Sequence, residues 1–313
     1  MRVKIGRPDI SAYSDRFDVP AALGDFGVRF LGVASLLFDD GDSAVMTDGY
    51  FSRPSLLKAG FGRIAPDPAR IDAALDRLGT GRLGVQRLDA VLPVHSHFDH
   101  AMDSPVVAQR TGATLFGGES TANVGRGAGL PAEQIHVVTP REPVAAGAFT
   151  LTWIESAHCP PDRFPGVITE PVVPPGKAAA YRCGEAWSVL VEHASGRTAL
   201  VQGSAGYVPG TLDGYRADVV YLGVGQLGLQ PSSYIQSYWT ETVRTVGARR
   251  VVLIHWDDFF RPLDKPMRAL PYAGDDLDVT MRALDRLALQ SRVALHLPTV
   301  WRREDPWSAP AAE

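Results

Sequence analysis

The run Val94-His95-Ser96-His97-Phe98-Asp99-His100 constrains this chain more than any other feature. Three imidazoles and a carboxylate fall between His95 and His100, directly after the apolar stretch Leu88 to Val94. The whole chain of 313 residues has only eight histidines, so a chance polar loop is a poor account of the cluster. Imidazole nitrogen and carboxylate oxygen are ligands for zinc and its divalent neighbours. In a tight turn after a strand, His95 and His97 can point to one side while Asp99 and His100 point elsewhere. One loop can then serve two metal positions. Zinc takes three or four protein ligands, so the fold must deliver others to the same place. His158 closes the apolar stretch Leu151 to Ala157, and His255 follows Val251 to Ile254; both are candidates on that ground. His136, His193 and His296 lack this setting and read as structural or exposed.

Strands and helices alternate along much of the chain. Apolar, partly β-branched runs predict strands at 28–38, 44–47, 88–94, 113–116, 135–138, 149–154, 188–192, 198–202, 218–222, 250–254 and 292–297. Helical spacing predicts helices at 68–78, 104–110, 233–246 and 276–289. The order implies a layered α/β architecture, and consecutive middle strands argue against a purely doubly wound sheet. We expect one domain over residues 1–313 with its core at about 28–300. Residues 159–177 carry six prolines, which forbids a regular helix or central strand. Because this stretch starts immediately after His158, it is expected to rim the site. The polar tail 302–313 is expected to fray.

Composition excludes some partners. Thirty-one basic against 35 acidic residues leave a net charge of −4, with no basic run, so nucleic acid is not an expected partner. Apolar stretches stay well short of the roughly 18 residues of a membrane span. Two cysteines make no disulfide framework, and no secretory signal is visible, so a cytoplasmic location is expected. A small-molecule substrate is the expected partner; a homo-oligomer is left open.

His95, His97, Asp99, His100, His158 and His255, taken in order, resemble the metallo-β-lactamase superfamily of metal-dependent hydrolases. Thr47-Asp48-Gly49-Tyr50-Phe51 looks like the family's early strand end, and Gln202 to Tyr207 like its later Gly-Asp-Thr-Gly-Tyr turn. The similarity spans roughly residues 28–256. Among branches, it most resembles the one holding ascorbate-phosphate lactonases and phospholipase-D-type lipid hydrolases. The resemblance implies a four-layer αββα sandwich of two mixed β-sheets flanked by helices, with the site where strand ends converge. It implies a first zinc on His95, His97 and His158 and a second on Asp99, His100 and His255; manganese or iron suits the same donors. Asp99 would also orient the attacking hydroxide. Many members have a bridging Asp where this chain has Ser204, so the second site is expected to be weaker. The implied activity is hydrolysis of a small ester, lactone or phosphodiester. β-Lactam hydrolysis and a non-catalytic metal-binding role are the alternatives.

Further residues are expected near the site: Asp257 and Asp258 after His255, Cys159 beside His158, and Asp48, Ser204 and Tyr207 in the two turns. Phe51, Tyr50, Phe164, Trp256, Phe259 and Phe260 would make the pocket partly apolar, and Arg53, Arg163 or Arg182 could hold an anionic group. Ligands must be deprotonated, so activity is expected to fall below about pH 6. The GxGxxG match at Gly223 to Gly228 lacks a helix opening within the turn and reads as a close-packed loop.

Overall fold

The computed structural model describes residues 4–79 and 87–308. Its strands, in chain order, are β1 Gly27–Phe30, β2 Leu36–Asp39, β3 Ala44–Thr47, β4 Leu88–Leu92, β5 Thr114–Gly117, β6 Ile135–Val137 and β7 Val144–Ala146. They continue as β8 Phe149–Glu155, β9 Trp187–His193, β10 Thr198–Gln202, β11 Val219–Gly223, β12 Arg250–Ile254, β13 Ala294–His296 and β14 Arg303–Glu304. The α-helices are α1 Leu56–Phe61, α2 Pro68–Leu78, α3 Phe98–Ala101, α4 Ser104–Thr111, α5 Glu119–Gly127, α6 Ser232–Trp239 and α7 Leu277–Ser291.

Two seven-stranded sheets result, ordered β14-β1-β2-β3-β4-β5-β6 and β13-β12-β11-β10-β9-β8-β7. Each is antiparallel in one half and parallel in the other. Side-chain alternation sorts the layers. In β2 and β3, Leu36, Phe38 and Val45 enter the core shared with the second sheet, while Leu37, Ala44 and Met46 face outward. That outer face meets Ile71, Ala74, Leu75 and Leu78 of α2, the stripe its spacing predicts, and Val107 and Ala108 of α4. Between the sheets, Phe116 stacks on Trp153 and Phe38 meets Tyr221 edge-on, with ring centres 5.6 and 5.7 Å apart. On the far side, Ile235 of α6 and Met281 and Leu284 of α7 cover the second sheet. The layers are the expected αββα.

Several expectations need correction. The predicted strand 28–38 is two strands, because Leu31 to Ser35 turn back: Ser35 N donates to Gly32 O, which has φ +87°. The run Gly125 to Gly129, whose three glycines read in sequence as a loop between helix and strand, starts inside α5, which extends to Gly127. The long helix 233–246 is α6 followed by a π-helical turn, Thr240–Arg244. The tail does not fray at Arg302: β14 pairs with β1, and Arg303 donates to Asp39 at 2.8 Å. Residues 309–313 of that expectation lie outside the described residues.

Candidate metal centre

β4 ends at Leu92, and the chain bends through Val94 to His97, which caps α3 at φ −59° and ψ 154°. The bends bring His95 and His97 to one side, with ring centres 4.8 Å apart. Asp99 and His100 lie on the helical turn that follows and face another way. Backbone bonds pin the loop: Ser96 N donates to Cys183 O at 2.8 Å and Trp187 N to Val94 O at 2.9 Å.

His158 arrives from beyond β8 and His255 from the residue after β12. The nearest ligand atoms of His95, His97 and His158 lie within 4.8 Å of one another, and so do those of Asp99, His100 and His255. His95 Nε2 is 3.1 Å from His97 Nδ1. Asp99 Oδ2 is 3.7 Å from His100 Nε2 and 3.5 Å from His255 Nε2. The His95 and His100 ring centres are only 3.9 Å apart, so the two groups adjoin. All six are buried except His158, which is partly exposed. His255 has φ +58° and Asp48 φ +54°. A non-glycine residue held there costs about 1–3 kcal/mol, an outlier typical of functional sites.

The second nitrogen of three imidazoles is held by an acceptor. His158 Nδ1 meets Cys159 O at 2.7 Å, His100 Nδ1 meets Asp48 Oδ2 at 2.7 Å, and His97 Nε2 meets Asp162 Oδ1 at 3.2 Å. Carbonyls and carboxylates only accept, so these nitrogens carry the protons and the others keep lone pairs facing inward. His100 Nε2 is buried with no hydrogen-bond partner among the described residues, which is what a metal ligand without its metal looks like. Burial, then the neighbouring imidazoles, lower the pKa of His95 well below its ordinary value. Burial and the charge of His97 bring His158 to about 4. Burial works to raise the Asp99 carboxyl, yet His100 and His255 hold it far below the carboxylate range. Neutral His95 and His158 beside an ionised Asp99 fit a divalent cation.

The other expected site residues divide. Asp48 supports His100 and also accepts from Val94 N at 3.0 Å. Ser204 Oγ accepts from Cys159 N at 3.0 Å, so it holds the segment beside His158. Cys159 is buried and its thiol is pushed up to about 12, protonated near neutral pH. Asp257 is taken by Arg53 at 2.8 Å, both side chains 1% exposed, and Asp258 by Arg268 at 2.8 Å and Arg7 at 3.3 Å. Neither aspartate bonds to a ligand imidazole, and Arg53 is not free for a substrate anion. Tyr50, Phe51 and Trp256 are core residues, and Tyr207 packs on Tyr234. Phe164 and Phe259 do reach the site, edge-on to His97 and His255 at 6.2 and 5.8 Å. Arg163 and Arg182 are exposed. The glycine turn after β11 backs His255: a Cβ on Gly225 would lie 2.8 Å from its Nδ1. Asp162 is the residue that sequence reasoning missed; its signal is an acid four positions beyond His158.

A family model described as a beta-lactamase superfamily domain matches residues 59–256, more than half of the chain. The chain belongs to this superfamily, whose members include metallo-hydrolases. No curated protein matches it. Solved structures share the fold at low identity. Igni18, a metallo hydrolase from the archaeon Ignicoccus hospitalis, is 14% identical with a TM-score of 0.51, over 90% of this chain and 96% of that one. A possible metal-dependent hydrolase from Veillonella parvula is 12% identical at 0.51, over 87% and 96%. CmlA, a diiron β-hydroxylase from Streptomyces venezuelae, is 13% identical at 0.52, over 90% of this chain and 54% of that one.

Proposed function

We propose that the chain is a metal-dependent hydrolase of a small ester, lactone or phosphodiester, holding two divalent cations, zinc foremost. The carrying observation is the pair of adjoining ligand groups, His95/His97/His158 and Asp99/His100/His255, in one buried site. Cations held there supply Lewis acidity and bring the pKa of water down to about 7. The chain's own groups do the rest. Asp99, kept ionised, accepts a hydrogen bond from water and orients its lone pair toward the substrate. Asp48 and the Cys159 carbonyl keep His100 and His158 in the tautomer that points Nε2 inward. Phe164 and Phe259 exclude bulk water and favour an apolar substrate part. The protonated Cys159 thiol and Ser204, tied to the backbone, leave no side-chain nucleophile in the reading. The names of Igni18 and the Veillonella protein support a hydrolase; that of CmlA keeps iron as the rival metal. We place the substrate with the lactonase and phospholipase-D-like branch.

Metal analysis of protein purified without added metal is expected to give close to two zinc per chain. Turnover is expected on a panel of lactones, esters and phosphodiesters, with a chromogenic cephalosporin as the β-lactam arm. His97→Ala should lose first-group metal and turnover together. A firm single equivalent sinks the two-metal reading; iron in place of zinc moves the assignment toward oxidation.

A further inference from the structure

The geometry points to Asp162 as a positioning residue for His97, so that the proline-rich loop 159–177 sets how tightly the first ligand group holds its metal. This rests on the metal-dependent reading above. His97 turns Nδ1 toward His95 Nε2 at 3.1 Å and Nε2 toward Asp162 Oδ1 at 3.2 Å and Phe164 O at 3.4 Å. Both partners at Nε2 belong to the loop, and both only accept. The loop therefore puts the proton on Nε2 and leaves the Nδ1 lone pair for a cation. The comparable support of His100, Asp48, comes from the end of β3; only His97 depends on a loop for its carboxylate.

The loop is anchored well enough for this. Phe164 N donates to Asp162 Oδ1 at 2.9 Å and fixes the carboxylate. Cys183 N donates to Phe164 O and Gly184 N to Gly166 O, each at 2.9 Å. Farther along, Ile168 N reaches Ser120 Oγ at 3.1 Å, and Gly176 pairs with Ile64. The same loop presents Phe164 to the site, so a displacement that moves the apolar wall also moves the support of His97. The Asp162 side chain is 21% exposed, which gives water a route to compete once the loop shifts.

The test is a zinc titration against a competing chelator on the full chain, comparing wild type, Asp162→Asn and Asp162→Ala. The alanine variant is expected to weaken first-group zinc binding about 10- to 100-fold. Asparagine, whose amide oxygen still accepts from His97 Nε2 and Phe164 N, should lose less. With cobalt as the probe, the visible bands should shift in the alanine variant and stay near wild type in asparagine, and metal-free melting temperatures should match. Wild-type zinc affinity and cobalt bands in Asp162→Ala overturn the proposal. So does weakened binding that tracks a fall in metal-free melting temperature with unchanged bands, which marks a role confined to the turn at Phe164. Wild type that binds no zinc overturns instead the reading on which the proposal rests.

Discussion

At the scale of single residues, the two candidate ligand groups differ in how they carry protons. Burial and neighbouring imidazoles keep His95 and His158 neutral, His158 down to about 4. For His255, burial works to lower the pKa, but the hydrogen bond and charge of Asp99 outweigh it and raise the value above 6.5. The sign follows. A lowered pKa means the imidazole is free to coordinate through weakly acidic pH; a raised one means a proton must leave before metal enters. As pH falls, the Asp99/His100/His255 group is expected to lose metal first, at about pH 6 or above, and the His95/His97/His158 group only below it. Metal per chain after equilibration across this range checks the order, and simultaneous loss of both metals contradicts it. The sequence-based pH expectation treated all histidines alike because charge pairing across distant segments cannot be read from a string. His95, His97, Asp99 and His100 were legible because they crowd into one short run after an apolar strand, and His158 and His255 because each follows an apolar strand. Asp162 was not, since an acid in a proline-rich loop breaks no pattern. Phe51 and Trp256 look like rim aromatics in sequence and are core in the structure because of how the chain turns, which only the fold decides.

Elements put those residues in place through close backbone contacts. The turn after β10 is the clearest case. A Cβ on Gly206 would lie 2.1 Å from Ala157 O and 2.6 Å from the carbonyl carbon of His158. Gln202 Nε2 draws the same turn together, donating to Ser204 O at 2.9 Å and Gly206 O at 2.8 Å. Gly206→Ala must push the His158 segment away. It is expected to cost about 1–3 kcal/mol of stability and to weaken the first metal group in particular. Calorimetry and a metal assay check this; wild-type values in both contradict it. Element periodicity was legible where one face is apolar, as in α2. It was silent for α5, whose first turn mixes small and polar residues, and for the short β7. The π-helical turn after α6 keeps helical hydrophobic spacing, so sequence reads it as plain helix.

For the whole molecule, the pairing order of fourteen strands was not legible, because parallel partners are set by long-range packing; the αββα layering was reached through resemblance. Its consequence for function is that the site joins the two sheets. His95, His97, Asp99 and His100 follow β4 in the first sheet, while His158 and His255 follow β8 and β12 in the second. An ion bound to such a set exists only when both sheets are docked, so it stabilises the folded state and not the unfolded chain. At free metal 1,000 times the dissociation constant, that linkage is worth about 4 kcal/mol. For chains of roughly 150–250 residues, 1 kcal/mol moves the melting temperature by about 2–4 °C. Stripping zinc with a chelator is therefore expected to lower the midpoint by several degrees, and adding zinc back should restore it. His158→Ala or His255→Ala should shrink the zinc-dependent part of the shift, because each removes the second sheet's contribution to one ligand group. A midpoint indifferent to zinc in wild type would mean that no ion spans the sheets. The six side chains would then be a packed polar cluster and nothing more.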